Sequence, residues 1–274
     1  MTDLKNLTFV ALDTETTSLF PLSGKLVELS AVKFNLKDEQ EEVFDNLINP
    51  KESIPEEVSQ IHGITDEMVK DKPGVEKVIP EFIQFIGEAE TVLLAHNACF
   101  DMAFLGMELA RLKIPDPGHR CLDTLLLIRN TFPELNKYDL PSLAAHFRIK
   151  PEKFHRALAD SRTVKELFLK VIQEKKIKNL EELSSLTQVF RFSDTATFEV
   201  ELPPGFEIFA QAIENSQPII MIYEGGTKGL QPRKITPLSL LKVYEKIYVL
   251  AYCHIDKMQK SFRLDRILEF QIAD

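Results

Sequence analysis

Cysteine is scarce in this 274-residue chain: Cys99, Cys121 and Cys253 stand far apart without paired spacing. That argues against a disulfide framework or a cysteine-built zinc site, and the three read as packing residues. No apolar run approaches bilayer-spanning length, and the start, Met1-Thr-Asp-Leu-Lys, lacks a cationic segment leading into an apolar one. A cytoplasmic protein with no membrane partner is expected. Internal repeats and low-complexity tracts are missing as well. A basic excess is also lacking: the formal net charge is -9, which argues against broad electrostatic attachment to nucleic acid. It does not exclude a nucleic-acid enzyme, because metal ions held by carboxylates supply positive charge locally.

What is present suits an ordinary folded protein. Hydrophobic residues make up 44% and charged residues 27% of the chain, enough to bury a full core. The length predicts two domains. From Glu201 onward, nine Lys and Arg balance nine Asp and Glu, so the whole acidic excess lies before it.

The chain is organised around Phe9-Val-Ala-Leu-Asp13-Thr-Glu15-Thr-Thr-Ser-Leu19. The apolar run from Leu7 to Leu12 predicts a buried strand ending in two carboxylates. Side chains alternate along a strand, so Asp13 and Glu15 project to the same side. Adjacent like charges repel unless a cation lies between them, which makes the pair a candidate divalent-metal site.

Strands over 26–34 and 41–48 extend this one into an antiparallel meander. Pro55, Gly63 and Pro73 punctuate a helix-and-loop region, and Val75, Val78, Ile79, Phe82, Ile83 and Ile86 repeat at helical spacing. A strand over 91–95 leads to Asp101 near a helix N-terminus, where a plain capping role is the alternative. Residues 121–128 read as a strand end entering a helix, with further helices over 140–147 and 157–175. His155 precedes the last of these and Asp160 lies in its first turns. Strands followed by alternating helices and strands predict an α/β layered domain. Its edge is placed at residue 178, with a connector over 179–204 and a second domain over 205–274.

The pieces DTETTSL at 13–19, VELSAVKF at 27–34, IPEEVSQIHGITDEMV at 54–69, LLAHNACFDMAFL at 93–105, LDTLLL at 122–127 and HRALADSRTVKELF at 155–168 occur in one order. Together they resemble the DEDDh 3′-to-5′ exonucleases, the superfamily of the proofreading epsilon subunit of DNA polymerase III, ribonuclease T and oligoribonuclease. The resemblance implies a ribonuclease H-like mixed sheet flanked by helices, and two Mg²⁺ or Mn²⁺ ions. By the same resemblance Asp13, Glu15 and Asp160 hold the first ion, Asp13 bridges to the second and Asp101 supports the site. Two such ions, about 4 Å apart, stabilise the attacking and leaving oxygens of a phosphodiester, and hard oxygen ligands suit them. His155 is the implied general base, a side-chain type that exchanges protons near neutrality. Thr16, Leu19, His62 and Phe100 correspond to residues that position the terminal nucleotide, and each is equally readable as packing. Ser18 stands where the family usually has Gly, and Ser161 where Ala is common.

In the C-terminal part, a helix over 207–216 and short strands over 219–223, 234–235, 246–252 and 261–264, with Gly225-Gly226 as a hairpin signal, predict a small β-barrel. Ile222-Tyr223, Arg233-Lys-Ile-Thr-Pro237, Ile247-Tyr-Val-Leu-Ala-Tyr-Cys253 and Phe262-Arg-Leu-Asp-Arg-Ile267 resemble the WYL domain, which implies an Sm/SH3-like barrel. The chain departs from that family where Ile247-Tyr248-Val249 replaces Trp-Tyr-Leu, and at Lys260. Arg233, Tyr248, Arg263 and Arg266 are candidates for contacts to a nucleotide or single-stranded nucleic acid. The competing reading pairs these arginines with Asp265, Glu269 and Glu245.

The expectation is a 3′-to-5′ exonuclease acting on single-stranded DNA or RNA 3′ ends, DNA favoured, with a nucleic-acid or nucleotide ligand on the second domain. The resemblance also admits a homodimer. The rival is a regulatory binding protein using the nuclease fold as scaffold. Such a scaffold is free to lose one of the five site residues, and none is lost.

Overall fold

A strand buried on both faces sets the layout of the first unit. The computed structural model describes every residue except 1, 39, 151–154, 198–199, 226–228, 244 and 274. In β1 (Thr8–Thr16), Phe9, Val10, Ala11 and Leu12 are all fully buried. β1 pairs antiparallel with β2 (Leu26–Asn35), which pairs antiparallel with β3 (Glu41–Leu47). On its other edge β1 runs parallel to β4 (Val92–Ala95), followed by β5 (Arg120–Asp123) and antiparallel β6 (Val189–Phe190). The sheet order is β3-β2-β1-β4-β5-β6, a mixed sheet.

Helices cover both faces. After α1 (Glu56–His62) and α2 (Asp66–Val69), α3 (Val75–Ile86) and α4 (Ala98–Leu112) share one apolar cluster with Val10 and Leu12. α5 (Thr124–Thr131), α6 (Leu140–Phe147) and α7 (Ala157–Lys175) share another with Phe9 and Ala11. Period-two alternation along β1 therefore sends even and odd residues to different helix layers. In α7, Val164, Leu167, Phe168 and Val171 form the buried stripe, and the Phe168 ring lies 5.0 Å from that of Phe9. Truncating Phe168 to Ala is expected to cost about 3–5 kcal/mol through the cavity it leaves.

The first part of the segment predicted as a connector, residues 179–192, belongs to this unit, and the remainder falls in the second. α8 (Leu180–Ser185) is capped by Asn179, buries Leu180 and Leu183, and is followed by β6 pairing to Leu122 and Cys121. Its polar composition reads locally as a linker. Burial depends on distant partners, including Thr2, whose carbonyl accepts the Leu180 N–H.

The chain divides into two compact units, Met1–Phe192 and Ser193–Asp274. Around their junction lie α9 (Phe192–Thr195) and β7 (Ala196–Thr197). In the second unit, α10 (Glu207–Glu214) precedes an antiparallel sheet of β8 (Ile219–Tyr223), β9 (Arg233–Val243), β10 (Lys246–Cys253), β11 (Met258–Arg263) and β12 (Ile267–Ile272). Its order is β11-β10-β9-β8-β12, with β7 also on β9. Where a small β-barrel is expected, the described residues form an antiparallel sheet without closure, with β11 and β12 as its two edges. β9 is longer than its sequence suggests. The register shifts from Leu250↔Ser239 to Ala251↔Pro237, so Leu238 is an extra residue that absorbs the proline as a bulge. Gly226 of the expected hairpin lies outside the described residues. No helix among the described residues is long and apolar enough to cross a membrane.

Candidate active site

The end of β1 separates its polar side chains by face. Asp13 and Glu15 follow Phe9 and Ala11 toward the α7 layer, while Thr14 follows Val10 and Leu12 toward the α4 layer. Asp160, in the first turn of α7, meets the former pair, and carboxylate oxygens of Asp13, Glu15 and Asp160 all lie within 4.8 Å of one another. Asp160 Oδ2 accepts the His155 backbone N–H at 3.0 Å, whereas its buried Oδ1 has no hydrogen-bond partner among the described residues.

Three clustered carboxylates form an electrostatic trap. Burial, then repulsion from Asp101, Glu15 and Asp160, pushes the Asp13 carboxyl well above its ordinary range. Burial, then Asp160 and Glu28, pushes Glu15 to about 8. Burial pushes Asp160 to about 6 against the opposing His155 N–H. An unpartnered buried oxygen among repelling hard-oxygen donors fits a hard divalent cation such as Mg²⁺ or Mn²⁺, and no thiolate enters the group.

The structure places Asp101 outside this trio. It is 2% exposed on α4 and accepts the Thr14 hydroxyl at Oδ1 over 2.7 Å. Its charge is nevertheless the largest Coulombic influence on Asp13, and burial raises Asp101 itself to about 7. His155 is exposed, just before α7, with its backbone in the left-handed region at φ 59°.

Two residues that sequence reasoning did not single out complete the floor. Glu28, 1% exposed on β2, sits in register opposite Glu15 and binds the Arg156 guanidinium. The available signal was the one acidic residue of β2, set between the apolar Val27 and Leu29.

The expected nucleotide contacts divide by exposure. Leu19 is 76% exposed beside Phe20 at 69%, on a turn whose Pro21 and Leu22 carbonyls accept from Arg111 Nη2 at 3.2 and 3.1 Å. Gly24 packs closely beneath this turn, where a Cβ would meet Phe104, the Phe20 carbonyl and Ser18 at 3.0 Å. Ser18 Oγ accepts the Phe20 N–H, and Ser161 Oγ donates to the Ala157 and Ser30 carbonyls, so both departures from the family pattern are hydrogen-bonded. Thr16 is buried and donates to the Ser18 carbonyl. His62 is 1% exposed, its Nδ1 accepts the Ile64 N–H, and burial lowers its pKa. Phe100 is half-buried against Phe104.

In the second unit Arg263 is committed to Asp265 through two 2.8 Å bonds, and Lys246 joins at 3.1 Å. Tyr248 lies opposite Arg263 in the β10–β11 register, and the Arg266 guanidinium lies beside Gly225. Arg233 differs: it is 3% exposed, reaches the Gly229 carbonyl only at 3.5 Å, lies 6.0 Å from the Tyr223 ring centre, and leaves Nε without a partner among the described residues.

Residues 10–168 match the Exonuclease family model and residues 204–272 the WYL domain model. DNA polymerase III PolC-type of Caldanaerobacter subterraneus subsp. tengcongensis is 36% identical over 181 residues, 65% of this chain and 13% of that protein. Its Staphylococcus haemolyticus counterpart is 30% identical over 246 residues, 89% of this chain and 17% of that protein. The chain thus spans 17% or less of the length of these two relatives. Exonuclease X, solved in complex with 5′ overhanging duplex DNA, shares 27% identity at a TM-score of 0.50, covering 66% of this chain and 98% of that one. Cell-death related nuclease 4 has a TM-score of 0.54 at 12% identity, covering 69% of this chain and 67% of that one, a likeness of fold alone.

Proposed function

The chain belongs to the exonuclease family, and from that premise we propose a metal-dependent enzyme that hydrolyses phosphodiester bonds from the 3′ end of single-stranded nucleic acid, with DNA favoured over RNA. The observation that carries this reading is the Asp13, Glu15 and Asp160 cluster with its unpartnered buried Asp160 Oδ1. Exonuclease X, 27% identical and solved on DNA, supports DNA as a substrate.

Asp13, Glu15 and Asp160 would hold one divalent ion, with Asp13 reaching a second and Asp101 supporting the site from the other face of the sheet. Two such ions, Mg²⁺ or Mn²⁺, supply charge stabilisation for the attacking and leaving oxygens when bound. His155 takes the proton of the attacking water on a ring nitrogen, and its exposure leaves that ring free to reach substrate. Leu19 and Phe100 offer apolar surface to the terminal base, and Thr16 and His62 form the wall behind it.

In the second unit, the buried and incompletely paired Arg233 supports binding of a phosphate-bearing ligand, a nucleotide or single-stranded nucleic acid. Tyr248 and Arg266 would assist, while Arg263 reaches such a ligand only by leaving Asp265. We read the strand order, with the one-turn helix Leu264–Arg266 before β12, as an open form of the Sm/SH3-like barrel. A cytoplasmic setting and a homodimer belong to the same proposal.

The test is digestion of 3′-labelled and 5′-labelled DNA and RNA oligonucleotides with Mg²⁺ or Mn²⁺. Immediate mononucleotide release from the 3′-labelled strands and a shortening ladder from the 5′-labelled ones are expected, both abolished by chelator. Metal-independent loss, or release from the 5′ end first, would refute the assignment.

A further inference from the structure

We propose that the Glu28–Arg156 ion pair is a positioning device that aims His155, an inference that rests on the exonuclease reading. Three successive residues ahead of and entering α7 are each fastened to the site floor. The His155 N–H donates to Asp160 Oδ2 at 3.0 Å. Arg156 Nη2 and Nε donate to Glu28 Oε1 at 2.6 and 3.1 Å, and Nε also lies 3.2 Å from Oε2. The Ala157 N–H donates to Glu28 Oε2 at 2.8 Å.

Glu28 thereby caps α7 from another strand, because Arg156, at the position before the helix, makes no capping bond of its own. A carboxylate buried beside three others is unfavourable unless paired and hydrogen-bonded, and the Arg156 fork supplies both. The cost of holding His155 at φ 59°, a conformation L-residues avoid, is offset by the same three attachments. His155 is exposed, so the backbone that carries its imidazole contributes to where the ring is aimed. Glu28 and Arg156 are positioning residues: neither belongs to the carboxylate trio, and both act through the residue next to Arg156.

The experiment is a double-mutant cycle on the full chain with a 3′-labelled single-stranded oligonucleotide, folding being checked by thermal melting. Arg156→Gln is expected to lower kcat about 10- to 100-fold with KM nearly unchanged, the scale of a misplaced catalytic group. In a His155→Ala background the same substitution is expected to cost less than about two-fold, because the group it aims is gone. Arg156→Lys keeps the charge, loses the fork and decides the matter where the Gln variant does not fold; an intermediate fall in kcat, again confined to the His155 background, is expected. An equal loss in both backgrounds would assign the pair to helix capping alone and overturn the proposal, as would unchanged kcat. An inactive wild type would overturn the exonuclease reading, and this proposal with it.

Discussion

The Thr14 hydroxyl donates a 2.7 Å hydrogen bond to Asp101 Oδ1, joining the end of β1 to α4 on the face opposite Asp13 and Glu15. Asp101 thus acts on the carboxylate trio through charge and through the strand, from a fixed position. Thr14→Val removes the donor and leaves a buried carboxylate oxygen unpaired. The Mg²⁺ concentration for half-maximal activity is expected to rise about 10-fold, as when a residue supporting a metal ligand is lost. A metal titration of nucleotide release checks this, and an unchanged requirement would show that the bond does not matter to the site.

Replacing a member of the trio separates activity from stability. Asp13→Asn or Asp160→Asn is expected to lower nucleotide release by at least about 10²–10³-fold, the scale of lost transition-state charge stabilisation. The same variants relieve repulsion, so their metal-free melting temperature is expected to rise while the Mn²⁺-induced shift of the wild type disappears. A metal-free melt below that of the wild type would contradict the electrostatic trap.

The raised carboxyl pKa values set a pH dependence of definite sign. Glu15 titrates at about 8, Asp101 at about 7 and Asp160 at about 6 in the folded chain, against ordinary values near 4. The folded state therefore binds more protons than the unfolded one across that interval. Its stability is fully present below pH of about 4 for these groups and is lost as pH rises through 6 to 8. Metal-free protein is expected to melt at progressively lower temperature from pH 5 to 8, with Mn²⁺ restoring more at pH 8, where fewer protons compete for the ligands. Melting curves in chelator and in Mn²⁺ measure both trends.

His155→Ala is expected to lower kcat about 10²–10⁴-fold, the usual contribution of a general base. Its Mn²⁺-induced melting shift should survive, because the imidazole lies outside the carboxylate trio. Loss of that shift would make His155 a ligand and not a base.

Arg233→Met tests the second unit. Burying methylene in place of an incompletely paired guanidinium is expected to leave the melting temperature unchanged or raise it. Binding of a short single-stranded oligonucleotide, measured by anisotropy in an Asp13→Asn background, should weaken about ten-fold, consistent with losing a charge-assisted bond. Unchanged affinity would remove Arg233 from the ligand site.

The sequence by itself determined what short-range spacing can carry: the common side of Asp13 and Glu15, the amphipathic stripe of α7, and the arrival of Asp160 five residues after His155. It also carried the family resemblance, since the motifs lie in local runs. Tertiary structure decided the rest, because those contacts join residues far apart in the chain. Glu28 meets Arg156 across 128 positions and Thr14 meets Asp101 across 87. No local period encodes either pair. Burial acted likewise. It enclosed His62, drew Leu180 and Leu183 into the first unit, and separated the incompletely paired Arg233 from Arg263, which Asp265 holds. Which polar group finds a partner depends on the surface that folding brings to it.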